Sequence, residues 1–160
     1  MSEAREWQYF KKQELPVWLR RRVQIGRAAV PLLEWRQHLS TVLPDDWQYD
    51  FIYDVVTTFR WLCPPDPLPK VWSLLALSNG GLYLRPNTWL NYRAHRSDRN
   101  FDELVTADTI GLIATILAVN WRLSRLMDSA NYNRLAKLER RLTAFKNVHP
   151  EHVGIQAVID

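Results

Sequence analysis

Two short apolar runs lie on either side of a glycine-containing turn near the middle of the chain. Residues 71–77 (VWSLLAL) and 82–85 (LYLR) are rich in strand-forming residues, and Ser-Asn-Gly-Gly stands between them. Asn79 and Gly80 both tolerate positive φ, which a two-residue type I′ turn requires, so we predict a β-hairpin with that turn. The first run is apolar on both faces, which predicts a central strand. Residues 88–93 alternate apolar and polar positions and predict the third strand of an antiparallel meander.

Four segments after residue 44 show apolar residues at helical spacing. They run from Trp47 to Leu62, from Thr106 to Met127, from Tyr132 to Phe145 and from Pro150 to Ile159. The second is apolar nearly all round in its first half, which predicts the central helix of the core. Gly111 lies inside it and predicts close backbone packing, on the sheet. The fold class is therefore α+β, with about four helices packed on a three-stranded antiparallel meander.

The N-terminal segment is basic, and the rest of the chain is electrically balanced. Residues 1–43 carry eight basic and four acidic residues, whereas residues 44–160 carry thirteen of each. Pro16 suits the first turn of a helix that reaches about Ala29, and a further turn or two follow at residues 32–39. Residues 1–40 are thus predicted to be a basic helical extension. Its arginine cluster predicts either phosphate binding, to nucleic acid or membrane, or a solvated helix face, which we favour; the cluster is Arg20, Arg21, Arg22 and Arg27.

An acidic stripe lies along the first predicted helix of the main domain. Asp46, Asp50 and Asp54 are four residues apart, so they share one face. Like charges at this spacing repel, so the stripe does not serve helix stability. It is either a surface that meets a basic protein or the polar face of an amphipathic helix, and the second interpretation is the more common one.

Common catalytic and metal-binding signatures are missing from the sequence. It has no Gly-x-Ser-x-Gly motif, no phosphate loop and no Cys-x-x-Cys pair, and its four histidines are scattered. His149 and His152 lie at a predicted helix start, where capping and solvent contact explain them. Cys63 cannot form an intrachain disulfide and is predicted to be a buried thiol. The longest apolar segment, 110–119, is too short to span a bilayer. We therefore predict a cytoplasmic, non-enzymatic binding protein without cofactor, metal or membrane contact.

The hairpin and the segments after it resemble the ArdB/KlcA antirestriction proteins. The resemblance covers residues 41–160 and rests on five pieces in the same order. Residues 72–86 (WSLLALSNGGLYLRP) resemble the family's "W-x-F-Y-x-L-S-N-G-G-F-Y-M-x-P" core. The other pieces are VLP at 42–44, TADTIGL at 106–112, AVN at 118–120, and HPE at 149–151 with ID at 159–160. A proline-rich stretch at 63–71 replaces the glycine pair that usually precedes the first strand of the family.

The resemblance implies both a division of the chain and a function. Residues 41–160 would form the antirestriction domain, and residues 1–40 an N-terminal extension. Such proteins are carried by plasmids, phages and other mobile elements and relieve type I restriction in the bacterial host. The implied partner is the host restriction enzyme or an associated defence protein. The motif positions that become candidate interaction residues are Trp72, Ser78, Asn79, Gly80, Gly81, Tyr83, Asp108 and Gly111.

A nucleic-acid-binding accessory protein is the alternative function. It would act through the basic residues 1–40, and its affinity for DNA would fall steeply with salt. The sequence does not define an oligomeric state.

Overall fold

The computed structural model describes residues 6–126 and 129–160, which form helices and two antiparallel sheets. The α+β class is therefore confirmed. The strands of these residues are β1 (Arg27–Ala29), β2 (Trp72–Leu77), β3 (Leu82–Pro86), β4 (Asn91–Arg96) and β5 (Phe101–Thr106), and the α-helices are α1 (Trp35–Leu39), α2 (Gln48–Leu62), α3 (Ala107–Leu123), α4 (Ser129–Lys146) and α5 (His152–Ile159). Single 3-10 turns lie at Lys12–Glu14, Val17–Leu19, Leu32–Glu34, Asp45–Trp47 and Ser97–Arg99.

The larger sheet has three antiparallel strands in the order β1-β2-β3. Trp72 of β2 faces Pro86 of β3, and Leu77 at its other end faces Arg27 of β1. The predicted central strand is confirmed, because β2 pairs on both edges and residues 74–77 are all buried. Its second partner, however, comes from the N-terminal segment.

The predicted meander is wrong in its third strand. β4 overlaps the predicted strand at 88–93, but it pairs with β5 in a separate two-stranded sheet, where Arg96 faces Phe101. Residues of β4 alternate between exposed and buried, and Arg96 takes an inward position. A buried arginine is tolerated there because its guanidinium donates to the Val158 carbonyl oxygen at 2.5 Å and to Asp98 at 2.9 Å.

The predicted helix from Pro16 to about Ala29 is also wrong. Helical structure is confined to Val17–Leu19, and the chain then extends into β1. Gln8 and Arg27 exchange two backbone hydrogen bonds, of 2.8 and 2.9 Å, on the outer side of β1. The segment is apolar where it meets the sheet, since Leu15 and Leu19 are buried in the main core. Pairing with the exposed edge of β2 explains why these residues favour extended backbone over a helix.

Helix α3 lies at the centre of the molecule, as predicted. It packs against α2, β3, α4 and α5, and residues 107 and 109–119 are buried. α2 and α5 also follow their predictions closely, whereas α4 begins at Ser129 rather than at Tyr132. Met127 and Asp128, where α3 was predicted to end and the helical pattern to break, lie outside the described residues. None of the helices in the described ranges is long and apolar enough to cross a membrane.

Cys63 ends α2 and is buried, as predicted. Burial and the nearby charge of Asp66 raise the pKa of its thiol to about 12, so at neutral pH it is protonated and unreactive.

Gly111 brings α3 into direct contact with the backbone of β3. A Cβ atom built on Gly111 would lie 2.4 Å from Cβ of Arg85 and 2.5 Å from both Cα of Arg85 and the carbonyl oxygen of Leu84. Thr115, one turn later, donates to the Gly111 carbonyl at 2.9 Å and accepts from the Leu84 amide at 3.1 Å. The predicted close packing on the sheet is therefore confirmed.

Replacing Gly111 with alanine is expected to destabilise the protein by about 1–3 kcal/mol, because the new methyl group meets backbone that can move only if α3 and β3 separate. Urea unfolding measures the change. Gly154→Ala is the matched control, since a Cβ there meets no atom within 4 Å; it should leave stability unchanged or raise it by up to about 1 kcal/mol. Equal stabilisation by both substitutions would contradict the close approach at Gly111.

Candidate functional site

Asp108 is the acceptor at the centre of a polar cluster that joins four separate parts of the chain. We call this group the Asp108 cluster: Arg27 of β1, Tyr83 and Arg85 of β3, Asp108 of α3, and His149 before α5. Oδ1 accepts from the Tyr83 hydroxyl at 2.6 Å and from Nη1 of Arg85 at 2.9 Å. Oδ2 lies 2.5 Å from Nη1 of Arg27 and 2.8 Å from Nε2 of His149.

Local structure fixes each member of this cluster. Thr106 caps α3 by accepting from the Thr109 amide at 3.2 Å, and this places Asp108 in the first turn, where a negative charge is favourable. Tyr83 and Arg85 are alternate residues of β3, so both side chains lie on the face that meets α3. Arg27 reaches the same face from β1 and also donates to the Tyr83 hydroxyl at 3.1 Å.

Hydrogen bonds define the tautomer of His149. Its Nδ1 accepts from the Glu151 amide at 3.1 Å, so Nε2 carries the hydrogen that it donates to Asp108. The ring is 1% exposed and contacts the edges of Phe10 and Phe145, with ring centroids 5.1 and 5.7 Å away. The interpretation of His149 as a solvent-exposed helix-start residue is therefore wrong; its imidazole is held within the core.

Burial and charge act in opposite directions on Asp108. Burial alone would raise the pKa of its carboxyl group, but the hydrogen bond from His149 and the charge of Arg27 outweigh it and hold that pKa well below its usual range. Burial, with the Asp108 charge, raises the pKa of Tyr83 well above its ordinary value. The cluster thus contains a carboxylate and a neutral phenol at physiological pH.

Asp108 has no acceptor capacity left for a reaction. A carboxylate offers about four lone-pair sites, and four donors already occupy them. Both ring nitrogens of His149 also have partners. The cluster therefore acts as a clasp that holds β1, β3, α3 and the segment before α5 together.

A cavity of about 550 Å³ opens beside the Asp108 cluster. Arg27 and Arg85 form part of its wall, and the loop between β3 and β4 forms its rim, where Trp89 is fully exposed. On the far side, Glu151 accepts hydrogen bonds from the hydroxyl groups of Thr106, at 2.9 Å, and Thr109. Positive and negative side chains both line this cavity, so its charge selects neither anions nor cations. Within the described ranges, no group of three or more His, Cys, Asp or Glu residues could hold a metal ion.

The predicted hairpin is confirmed, but its turn is not type I′. Among the described residues from 78 to 81 only Gly80 has positive φ, at 88°. The Gly80 amide donates to the Leu77 carbonyl at 2.9 Å, and the Leu77 amide donates to the Gly81 carbonyl at 2.8 Å. The loop therefore has three residues, ending in a glycine with positive φ. The Asn79 side chain accepts from the Gly81 amide at 3.0 Å, which removes any need for positive φ at Asn79 itself.

The hairpin tip packs on α4. The Asn79 side chain donates to the Arg141 carbonyl at 2.9 Å, and Nη1 of Arg141 donates to the Gly80 carbonyl at 3.1 Å. The Ser78 hydroxyl accepts from the Gly26 amide at 2.9 Å. At the opposite end of the hairpin, Trp72 donates to the Pro69 carbonyl at 3.2 Å and meets the ring of Phe59 edge-on. These motif positions therefore have clear structural roles.

The acidic stripe is divided between the 3-10 turn Asp45–Trp47, which carries Asp46, and α2, which carries Asp50 and Asp54. Asp46 and Asp50 are exposed, whereas Asp54 forms an ion pair with Arg122 of α3, at 2.5 Å. Two carboxylates of the three predicted are thus available on the surface.

The four arginines of the basic patch do not form one surface. Arg27 belongs to the Asp108 cluster. Arg20 donates to the Leu15 carbonyl at 3.3 Å, and the guanidinium of Arg22 lies 5.6 Å from the ring centre of Trp18. Arg21 is exposed.

The sequence motifs include Tyr83 and Asp108, but they do not indicate that Arg27, Arg85, His149 and Glu151 lie at the same site. A signal was available, since the motifs at 72–86, 106–112 and 149–151 each supply a member of the site. Arg27 lies in none of these motifs, so the sequence does not indicate that it belongs to the site.

Comparison with known proteins defines the class of this protein. The family model described as "Antirestriction protein" matches residues 69–160, more than half of the chain, so the chain belongs to the antirestriction protein family. The curated antirestriction protein KlcA of Escherichia coli is 32% identical over 89 residues, which are 56% of this chain and 61% of the relative. The chain thus aligns with about three fifths of that relative's length.

A solved structure supports the fold. It concerns KlcA and ArdB proteins, reported to show a novel fold and antirestriction activity against type I DNA restriction systems in vivo but not in vitro. The match has a TM-score of 0.77 and 24% identity, and it covers 85% of this chain and 95% of that chain. Residues 41–160 make up three quarters of this chain, so the match extends into residues 1–40.

Proposed function

We propose that this protein relieves type I restriction of incoming mobile DNA in a bacterial host. The observation that carries the proposal is membership of the antirestriction protein family, through residues 69–160. The reported activity of the KlcA and ArdB proteins in vivo is in line with it. The protein would act on the host restriction enzyme or on an associated defence protein.

The proposed mode of action is protein contact without catalysis. The most densely charged site, the Asp108 cluster, has its carboxylate and imidazole fully hydrogen-bonded, so it offers neither a free base nor a nucleophile. Its geometry supports a structural role, which leaves the activity to an exposed surface.

The exposed face of α2, together with the 3-10 turn Asp45–Trp47 before it, is the surface that we propose for this contact. Asp46 and Asp50 lie beside Tyr49 and Tyr53, whose side chains are 81% and 64% exposed. Tyrosine is enriched at protein interfaces, where its ring supplies contact area and its hydroxyl a hydrogen bond. The two carboxylates would select a basic partner surface.

The test is the plating of unmodified phage on a strain with an active type I restriction system. The wild-type protein should raise the phage titre. Asp46→Asn with Asp50→Asn should reduce this relief by about tenfold or more, since close charge pairs at an interface contribute about 1.5–7 kcal/mol each. Neither side chain makes an intramolecular ion pair in the described structure, so the fold should be unaffected.

The matched control is Asp102→Asn with Glu103→Gln on β5, which removes the same charge from another exposed surface. It should keep full relief. Full relief by the α2 variant would exclude the acidic face, whereas no relief by the wild-type protein would overturn the proposed function itself.

A further inference from the structure

A second groove lies between α4, the end of α1 and the tip of the β2–β3 hairpin. Its volume is about 560 Å³, which is within the range of small-ligand sites. We call it the α4 groove. Its lining residues are Trp7, His38, Thr41, Val42, residues 76–78 and 80–82, Arg134, Lys137 and Arg141.

Among the described residues, three cations of α4 line this groove and no carboxylate does. Arg134, Lys137 and Arg141 recur at three- and four-residue steps, so they project from one side of the helix. None of the lining residues is Asp or Glu. The groove therefore carries three positive charges, in contrast to the mixed charge of the cavity beside the Asp108 cluster.

The two arginines are held in place by neutral groups. Nη2 of Arg134 donates to the carbonyl oxygens of Ser40 and Leu43, at 2.9 and 3.0 Å. Arg141 donates to the Gly80 carbonyl, and its Cζ would lie 2.9 Å from a Cβ built on Gly80. Carbonyl oxygens orient a guanidinium group without cancelling its charge. In the described part of the chain, none of the three cations forms a salt bridge to a carboxylate.

We propose that the α4 groove binds phosphate groups of single-stranded nucleic acid. Oriented, uncompensated guanidinium groups favour phosphate oxygens, and a flexible lysine adds a third charge. The Ser78 hydroxyl, which accepts from the Gly26 amide and keeps its own hydrogen available, adds a further donor at the wall. Trp7 also lines the groove, and an aromatic ring beside a cationic groove is the arrangement that holds a stacked base in single-strand-binding proteins.

The volume of the groove favours a single strand over a duplex. A recess of this volume holds a phosphate and a neighbouring base but not the face of a double helix. The site is also distinct from the arginines at 20–22, which lie on the N-terminal segment. This inference does not depend on the antirestriction role.

The test compares two charge reversals on the same helix. Lys137→Glu changes a residue of the groove, whereas Arg140→Glu makes the same change at an exposed residue outside it. Binding is measured by fluorescence anisotropy with a labelled oligothymidylate of about 12 nucleotides at about 20 mM salt. We expect Lys137→Glu to weaken binding about tenfold and Arg140→Glu at most about threefold. For three neutralised phosphates, the logarithm of affinity should fall with the logarithm of salt with a slope of roughly −2.

Several outcomes would overturn the proposal. They are no binding at low salt, equal weakening by the two variants, tighter binding to a duplex of the same sequence, or competition by polyglutamate as effective as that by the unlabelled oligonucleotide. A mononucleotide that competes as well as the oligonucleotide would overturn the assignment to a single strand, because a free nucleotide would then account for the binding. Circular dichroism confirms that both variants are folded.

Discussion

Replacing Asp108 with asparagine is expected to lower the free energy of unfolding by about 3–5 kcal/mol. Asparagine has the same shape, but the nitrogen of its side-chain amide is a hydrogen-bond donor. In place of a carboxylate oxygen, it would face groups that are themselves donors, among them Arg85 and His149. Arg27 would keep a half-buried charge without its counter-ion. Such a loss is a large part of the stability of a domain of this size. Urea unfolding of both proteins measures it.

The matched control is Asp102→Asn, which breaks an exposed ion pair with Arg93. Solvent screens that pair, so its loss should leave the unfolding midpoint nearly unchanged. If the two variants were equally stable, the clasp function of the Asp108 cluster would be refuted.

The Asp108 pKa adds a dependence on pH to the same comparison. This pKa is lower in the folded protein than in the unfolded chain, so the stability that Asp108 contributes is complete above about pH 5 and is lost as pH falls further. The difference in stability between wild type and Asp108→Asn should therefore be constant from about pH 5 to 7 and shrink below about pH 4. A difference that grew on acidification would have the wrong sign.

Deleting residues 1–40 is expected to abolish cooperative folding. The deletion removes β1 from the edge of β2 and Arg27 from the Asp108 cluster. It also removes the buried side chains of Leu15, Leu19, Val30 and Leu39 and exposes the core surface against which they pack. Each of these side chains is worth about 1.5–3 kcal/mol on burial, so the loss approaches the whole stability of an ordinary domain. Thermal unfolding followed by circular dichroism tests this directly.

A triple variant separates the charge of this segment from its structural role. Arg20→Gln, Arg21→Gln and Arg22→Gln remove three exposed charges and keep β1 and the apolar residues. The triple variant should unfold like the wild type. If residues 41–160 alone unfolded cooperatively at the wild-type temperature, the sequence-based division into an extension and a domain at residue 40 would be supported instead.

Local sequence patterns predicted much of the fold. α2, α3, α5 and the hairpin follow from apolar spacing and turn residues, because each is defined by neighbours in sequence. The pairing of strands does not follow from such local patterns. β1 is only three residues long, and nothing in Arg27–Ala29 indicates that it completes a sheet with residues 75–77. β5 was missed because Phe101–Thr106 lacks regular alternation, with three exposed residues in succession.

The candidate site was predictable only in part, for the same reason. Asp108 was identified as a motif residue, yet its partners come from positions 27, 83, 85 and 149. Bringing such distant residues together depends on tertiary packing, which spacing does not encode. His149 shows the consequence, since its position before a helix suggested solvent contact and its ring lies in the core.

The Asp108 cluster also joins residues that are far apart in the chain. Arg27 and His149 are separated by about 120 residues, and both contact Asp108 and the ring of Phe10. Closing so long a loop has a large entropic cost that local contacts cannot offset early. Contacts between such distant residues raise the contact order of the fold, and folding slows as contact order rises.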